Sequence, residues 1–435
     1  MPAWAVALLL LGLVAGSLTS CSLLDGDDQA GASPTTSAAP PPPGVVDELK
    51  RVLRRRAVAV REGKETEFSA GLARRDADFA AAQTDYFGTM QQLPVQVFRY
   101  GFDPADILRV QDSYWVVVEV HLQLEGYDAA PVVTRDRYLF APGGRGRLRL
   151  ASVTDAAWEE RNAVLSQPWD RGPVEVRSVD GVLGIFDEGS VGAADGLLAS
   201  VQRGLGEVRA VVPYDWDDRV VVYAFSDTGF LASLEQLPGG DPDLVDGVAF
   251  PVPVDDGDPA AGAAGVRIVL HPRMLTRTDE ARDRLVRHEL THVALGPRDD
   301  HVPAWLSEGL AEWVSVAPMA PEDRALSTES LEAAEAGLAS GDLGLPPSDG
   351  FNGASSGAHY GLSWWACEVL ATTYGDGVLW DLVDRLDAEA PPAGTATSLD
   401  EVDARGDDAL RRLTGLSPED LARRAAKLMV ATYGP

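Results

Sequence analysis

The residues best able to do chemistry in this chain fall in one heptapeptide, Arg287-His288-Glu289-Leu290-Thr291-His292-Val293. On a helix, residues four apart lie one turn above each other, so His288 and His292 aim their imidazoles at one point with Glu289 offset beside them. Two nitrogens so placed suit a tetrahedral Zn²⁺, which needs one further protein ligand and keeps one position open for water. Chance is a poor source of the pattern. The chain has 6 histidines in 435 residues, and a random sequence of that composition would hold His-Glu-x-x-His roughly 1% of the time or less. Water near such an ion becomes hydroxide-like at neutral pH, and Glu289 is the group placed to take its proton. For the third ligand the adjoining sequence offers His301, with Asp299 and Asp300 as carboxylate candidates or as the polar loop after Gly296-Pro297.

A helix of this kind has to be held by a scaffold, and hydrophobic periodicity lays one out. From about Gly172 the sequence predicts strands at Val174–Val179 and Val182–Phe186, an amphipathic helix near Ala193–Val208, and strands at Val220–Phe225, Gly247–Val252 and Val266–His271. After that the pattern is helical to the end, so residues 172–435 read as a mixed sheet followed by helices, with the His-Glu pattern on the first of them, beginning near Asp279. Ahead of this region, helical spacing runs from Val45 to Arg61 and from Glu65 to Leu93, after which the period changes to two. Val95–Tyr100, Tyr114–Leu124, Val132–Phe140 and Leu148–Val153 read as strands, with Gly143-Gly144-Arg145-Gly146 as a hairpin turn. Helices followed by an antiparallel sheet predict an α+β accessory domain over 45–171, similar in order to a cystatin-like or nuclear-transport-factor-like cone. The fold class of the whole chain is therefore α+β. His121, the one histidine of this segment, falls inside a strand pattern and reads as structural. No chemistry is visible here, which leaves a spacer or a partner-docking role.

Composition bounds the partners. Against 37 Lys and Arg stand 67 Asp and Glu, a net charge of −30, which argues against nucleic-acid binding and against peripheral electrostatic attachment to membranes. Lys50, Lys64 and Lys427 are the chain's lysines, a bias expected of a GC-rich bacterial genome. Ala3–Ala15, apolar apart from Gly12, is the length of a signal-peptide core and too short to span a bilayer. It leads to Leu18-Thr19-Ser20-Cys21, which resembles the lipobox of bacterial lipoproteins and implies removal of residues 1–20 and acylation of Cys21. Signal peptides normally open with Lys or Arg, whereas the first basic residue here is Lys50, so the leader is atypical or truncated. Residues 21–44, with Asp25-Gly26-Asp27-Asp28 and four consecutive prolines from Pro40 to Pro43, read as a disordered tether rich in Pro, Ser and Asp. The expected location is the outer face of the bacterial cytoplasmic membrane, through a lipid anchor. With Cys21 acylated, Cys367 has no disulfide partner and, beside Trp364 and Trp365, reads as a buried inert thiol. The acidic clusters at 239–243 and 255–258 lack the spacing of a calcium loop and read as turns.

The stretch after the histidines is Pro303-Ala304-Trp305-Leu306-Ser307-Glu308-Gly309-Leu310-Ala311-Glu312-Trp313. With His-Glu-Leu-Thr-His ahead of it, this resembles the gluzincin zinc metallopeptidases, most closely the bacterial peptidase MA-like domains, from the sheet before the zinc helix to the helix beginning near Ser356. In that family the Glu of Trp-Leu-x-Glu-Gly is the third zinc ligand, a role that carries over to Glu308. An acidic residue one turn on steadies a ligand histidine, which carries over to Glu312 unless that side chain is a solvated helix charge. His301 is out of register for the metzincin pattern, whose positions here are Leu295 and Arg298. The family's oxyanion donor corresponds to Tyr360, or else to His359, and the strand Val266–Leu270 to the edge strand that pairs with extended substrate backbone. The resemblance thus implies one Zn²⁺ per chain held by His288, His292 and Glu308, in a membrane-tethered extracytoplasmic endopeptidase with Glu289 as general base and peptides or proteins as substrates. A non-catalytic zinc-binding scaffold lipoprotein and a metallohydrolase of non-peptide amides are the alternatives. Two departures stand out. The Gly-x-Met-Glu-Asn box of aminopeptidase gluzincins is absent, and the interval from His292 to Glu308 is shorter than usual.

Overall fold

The computed structural model describes Thr36–Ser37 and residues 41–434, apart from 74–75, 165, 235–236, 238–239, 256–261 and 393–394. The export signal, Cys21 and most of the tether lie outside the described residues. Helices α1 (Pro43–Arg61), α2 (Glu65–Ser69) and α3 (Ala77–Gln92) open the described chain after a two-residue strand, β1 (Thr36–Ser37). The helical stretch read over Glu65–Leu93 is broken in two, because Leu72 leaves to bridge Leu150 and Asp76 starts a new helix by accepting the Phe79 N–H at 2.9 Å.

Five further strands build the first sheet: β2 (Val95–Gly101), β3 (Leu108–Val110), β4 (Ser113–Leu124), β5 (Val132–Pro142) and β6 (Leu148–Ser152). All pair antiparallel in the order β1-β3-β4-β5-β6, and β2 shares the β3 edge of the long β4. Alternate residues of β4, Tyr114, Val116 and Val118, join Phe140 and Leu150 against Leu49, Val52 and Leu53 of α1. Short helices α4 (Ala156–Asn162) and α5 (Pro168–Arg171) then lead to the second sheet.

That sheet holds β7 (Glu175–Val179), β8 (Val182–Phe186), β9 (Val220–Ala224), β10 (Gly247–Pro253) and β11 (Ala263–Leu270), with α6 (Ala194–Arg209) crossing between β8 and β9. Its order is β10-β11-β9-β8-β7, parallel in the middle and antiparallel at both flanks. Both faces are covered. Val220, Val222, Ile268 and Leu270 pack toward α6 and the later helices, while Leu183, Ile185, Val221, Tyr223 and Val269 pack with Phe87 of α3 and Phe98 of β2. Burial on both faces is why Val220–Phe225 reads as an unbroken apolar run. The two sheets are also tied by polar contacts: Val133 N–H donates to Val254 O at 2.8 Å and Ala129 N–H to Ala264 O at 2.7 Å. Between them Arg267 meets Asp128 at 2.6 Å with side chains 3% and 1% exposed.

One expectation needs correction here. Val266–Leu270 is not an edge: it lies in β11, bonded to β9 on one side and to β10 on the other. The β10–β11 hairpin folds back over that flank, so β10 is the edge strand on this side of the sheet. The rest of the chain is helical: α7 (Asp279–Leu295), α8 (Ala304–Val316), α9 (Thr328–Ser340), α10 (Ser356–Tyr374), α11 (Gly377–Ala388), α12 (Leu399–Thr414) and α13 (Pro418–Tyr433). The architecture is α+β, as read from the sequence. Among the described residues no helix is long and apolar enough to cross a membrane.

Candidate metal centre

The His-Glu pattern does lie on a helix. Thr278 caps α7 by accepting the Ala281 N–H at 3.3 Å, Asp279 and Glu280 occupy its positively polarised first turn, and Gly296 ends it with a φ of 56°. Val286, Leu290 and Ala294 bury one side of α7 in the core, which turns His288 and His292 toward α8. Pro303 opens α8, whose Leu306, Leu310 and Val314 enter the same core. The next control is Gly309. A Cβ at this position would sit 2.6 Å from the Ser363 carbonyl oxygen and 2.9 Å from Cys367 Sγ, so only glycine lets α8 lie this close to α10.

This packing brings three ligand atoms together. Glu308 Oε2 is 3.2 Å from His288 Nε2 and 3.5 Å from His292 Nε2, and the two Nε2 atoms are 3.3 Å apart. A tetrahedral ion with bonds of about 2.0–2.1 Å spaces its ligand atoms about 3.3–3.4 Å apart, so the triangle has the right edge lengths. Glu308 Oε2 is also buried without a hydrogen-bond partner, a costly state that a cation at the centre of the triangle would relieve. These three residues could hold a metal ion. His301 is elsewhere, with Nδ1 2.7 Å from Asp387 Oδ1.

Each imidazole has a carboxylate behind it. His292 Nδ1 meets Asp299 Oδ2 at 2.8 Å, and the other oxygen of Asp299 accepts the Ser307 hydroxyl at 2.6 Å. His288 Nδ1 lies 3.2 Å from Glu312 Oε1 without an aligned hydrogen bond, and Glu312 Oε2 takes Arg284 Nη2 at 2.5 Å. Glu312 therefore lies against His288 in the interior and is not a solvated helix charge. Asp299 plays the matching part for His292 and does not join the ligand triangle, a role its place in the loop sequence did not disclose. Desolvation opposes protonation, yet Glu308 and Glu312 hold His288 up to about 9. His292 is likewise lifted well above its usual range by Asp299 and Glu308 against burial. Burial would raise Glu308 and Glu312, but the imidazoles, and Arg284 for the latter, hold Glu308 well below the carboxylate range and Glu312 at about 2.

Glu289 is 4% exposed and faces the edge strand β10. Burial raises its carboxyl, against the lowering effect of the two imidazoles and a hydrogen bond from the Ala249 backbone. A Cβ at Gly247 would stand 3.2 Å from Glu289 Oε1, so the missing side chain keeps that approach open. Because His271 N–H bonds to Asp246 O and Gly247 pairs with Leu270, the amides of Gly247 and Ala249 point outward from the sheet. Pro251 and Pro253 follow at outward positions with no N–H to offer.

The rings of Tyr360 and His288 lie 6.0 Å apart, and the Tyr360 hydroxyl donates to Asn352 Oδ1 at 2.9 Å. Burial and then the charges of Glu308 and Glu289 push that phenol well up, so it stays a proton donor. His359 turns away, with Nδ1 2.8 Å from the Phe351 carbonyl oxygen and its ring 5.4 Å from that of Phe351. Behind the site Cys367 is fully buried, and burial pushes its thiol up.

No protein-family model matches the chain, and no curated protein matches it.

Proposed function

We propose that this chain is a zinc-dependent endopeptidase, tethered outside the membrane by lipid on Cys21 and related to the gluzincin peptidases. The observation that carries the reading is the ligand triangle of His288, His292 and Glu308 with Glu289 buried beside it and Tyr360 across from it. Two imidazoles and one carboxylate, each imidazole backed by its own carboxylate, are a donor set suited to zinc in a catalytic rather than a closed structural site. When bound, zinc supplies Lewis acidity and brings the pKa of water down toward about 7.

The chain's own residues do the rest. Glu289 accepts the proton of the attacking water on a carboxylate oxygen and passes it to the leaving nitrogen. The Ala249 N–H holds that carboxylate in place. Tyr360 leaves Asn352 and donates its hydroxyl to the oxygen on which negative charge develops. An extended substrate adds to the outer edge of β10 through the Gly247 N–H and the Gly247 and Ala249 carbonyl oxygens, the Ala249 N–H being held by Glu289, and the prolines at 251 and 253 restrict pairing to that short stretch.

The test is digestion of a complex peptide library by the zinc-loaded protein beside its Glu289→Gln variant, read by mass spectrometry. Cuts present in the wild type and lost in the variant, with zinc retained by both, are expected. Cuts that persist in the variant would sink the proposal, and zinc binding with no cuts in either would turn it toward a scaffold. Tethering is tested by radiolabelled palmitate, whose incorporation must vanish in Cys21→Ala.

A further inference from the structure

The overall charge of −30 conceals a face of the opposite sign. Helix α1 carries Lys50, Arg51, Arg54, Arg55 and Arg56 within seven residues, and Arg147 and Arg149 lie beside it at β6. A pocket of about 260 Å³ opens between α1, α2 and β6, lined by Arg51, Arg55, Arg56, Arg147 and Arg149. Among the described residues Glu48 and Glu67 are its only carboxylates, against five arginines, a surplus of three positive charges, and Glu48 is already engaged with Arg51. Arg55 and Arg147 are exposed and make no ion pair among the described residues.

Arg56 forms the buried wall of this pocket, 4% exposed. It is fixed on three sides: Nε donates to Tyr100 Oη at 3.2 Å, Nη2 donates to Gln83 Oε1, and the guanidinium lies 3.5 Å over the Phe68 ring. Its Nη1 is buried with no hydrogen-bond partner among the described residues. A buried guanidinium without a carboxylate partner is an unfavourable arrangement, and its charge behind the pocket wall favours an anion in the pocket. Several converging guanidiniums suit a phosphoryl group better than a carboxylate, because a phosphoryl group offers three oxygens and up to two charges where a carboxylate satisfies one fork.

We propose that this pocket binds a phosphate-bearing ligand, a monoester or diester of small size, held by Arg55, Arg56 and Arg147. Lys50 and Arg54 line a neighbouring depression with Arg51 and Arg55 and widen the positive surface that draws the anion in. The chemistry has two sources: the headgroup of an anionic phospholipid or a soluble phosphate ester. The site is independent of the metal centre and of the peptidase reading.

Isothermal titration of the full chain in neutral-detergent micelles, in chloride buffer of matched ionic strength, tests it with inorganic phosphate and with glycerophosphoglycerol, the deacylated headgroup of phosphatidylglycerol. One saturable site is expected, weakened at least tenfold in an Arg55→Gln/Arg147→Gln variant, whose changes lie at exposed positions and spare the fold. Arg56→Gln should abolish binding, and if it fails to fold the double variant still decides. Tighter glycerophosphoglycerol binding assigns the site to a lipid headgroup, and tighter phosphate binding to a soluble ester. No saturable binding of either probe, or equal affinity in the double variant, overturns the proposal.

Discussion

The carboxylates behind the two imidazoles give the sharpest prediction, because the structure ranks them. Asp299 meets His292 Nδ1 at 2.8 Å, and among the described residues its other side-chain hydrogen bond comes from the neutral Ser307 hydroxyl. Glu312 stands 3.2 Å from His288 Nδ1, out of alignment, and Arg284 already draws on its charge. Asp299→Asn keeps an acceptor near Nδ1 but removes the charge. A charged hydrogen bond contributes about 1.5–3 kcal/mol net and a neutral one about 0.5–1.5, so the loss is about 1.4 kcal/mol, a tenfold rise in the zinc Kd. Asp299→Ala also strands the buried imidazole N–H and the Ser307 hydroxyl, and should approach the hundredfold end of the range for such groups, about 10–100-fold. Glu312→Gln should stay below about tenfold, since less of its charge is at work on His288. Competition with a chromophoric zinc chelator at fixed pH measures all three, with circular dichroism to verify the fold. Equal losses at the two positions, or a larger loss at Glu312, would refute the claim that these contacts tune the ligands.

Three further outcomes follow from the packing. Gly309→Ala should separate α8 from α10, since the contact at 2.6 Å is with a backbone oxygen that cannot rotate away; a loss of about 1–3 kcal/mol in denaturant unfolding and weakened zinc binding are expected. Asp128→Ala leaves Arg267 buried without its partner between the two sheets and should cost about 3–5 kcal/mol in the same assay. Asp136 is pushed up to about 8 by burial and then by the Glu159 and Asp170 charges, against a hydrogen bond from the Arg137 backbone. A carboxyl raised in the folded state stabilises fully below its ordinary 3.8 and loses that contribution as pH rises through about 8. Asp136→Asn should therefore gain in thermal midpoint over the wild type as pH climbs across that window; a difference independent of pH would contradict this.

The parts of the site that local geometry controls were legible beforehand. His288 and His292 share a face because a helix places every fourth residue one turn up, and the helix start near Asp279 was read from the pattern. The runs that became β8 and β9 were equally plain, since strands buried on both faces need apolar residues throughout. Glu308 was reached through resemblance to a family, because no local period links it to His292. Asp299 stayed ambiguous: a loop aspartate looks the same whether it caps a turn, binds a metal or backs a histidine.

The break between α2 and α3 was missed because both pieces keep helical spacing, and only the pairing of Leu72 with Leu150 interrupts them. Strand order was hidden for a related reason. Whether β11 or β10 forms the edge depends on which strand of the hairpin pairs with β9, and side-chain alternation is the same in either case.

The amino-acid sequence by itself determined the α+β class, the helix that carries His288, Glu289 and His292, and the acidity of the chain, since each follows from residue type and short-range spacing. Only the tertiary structure decided that Asp299 stands behind His292, that Tyr360 rather than His359 faces the site, and that β10 passes over Glu289. Those relations join groups far apart in sequence. They are set by how closely α7, α8 and α10 pack, and at Gly309 a single residue type makes the approach of α8 to α10 possible.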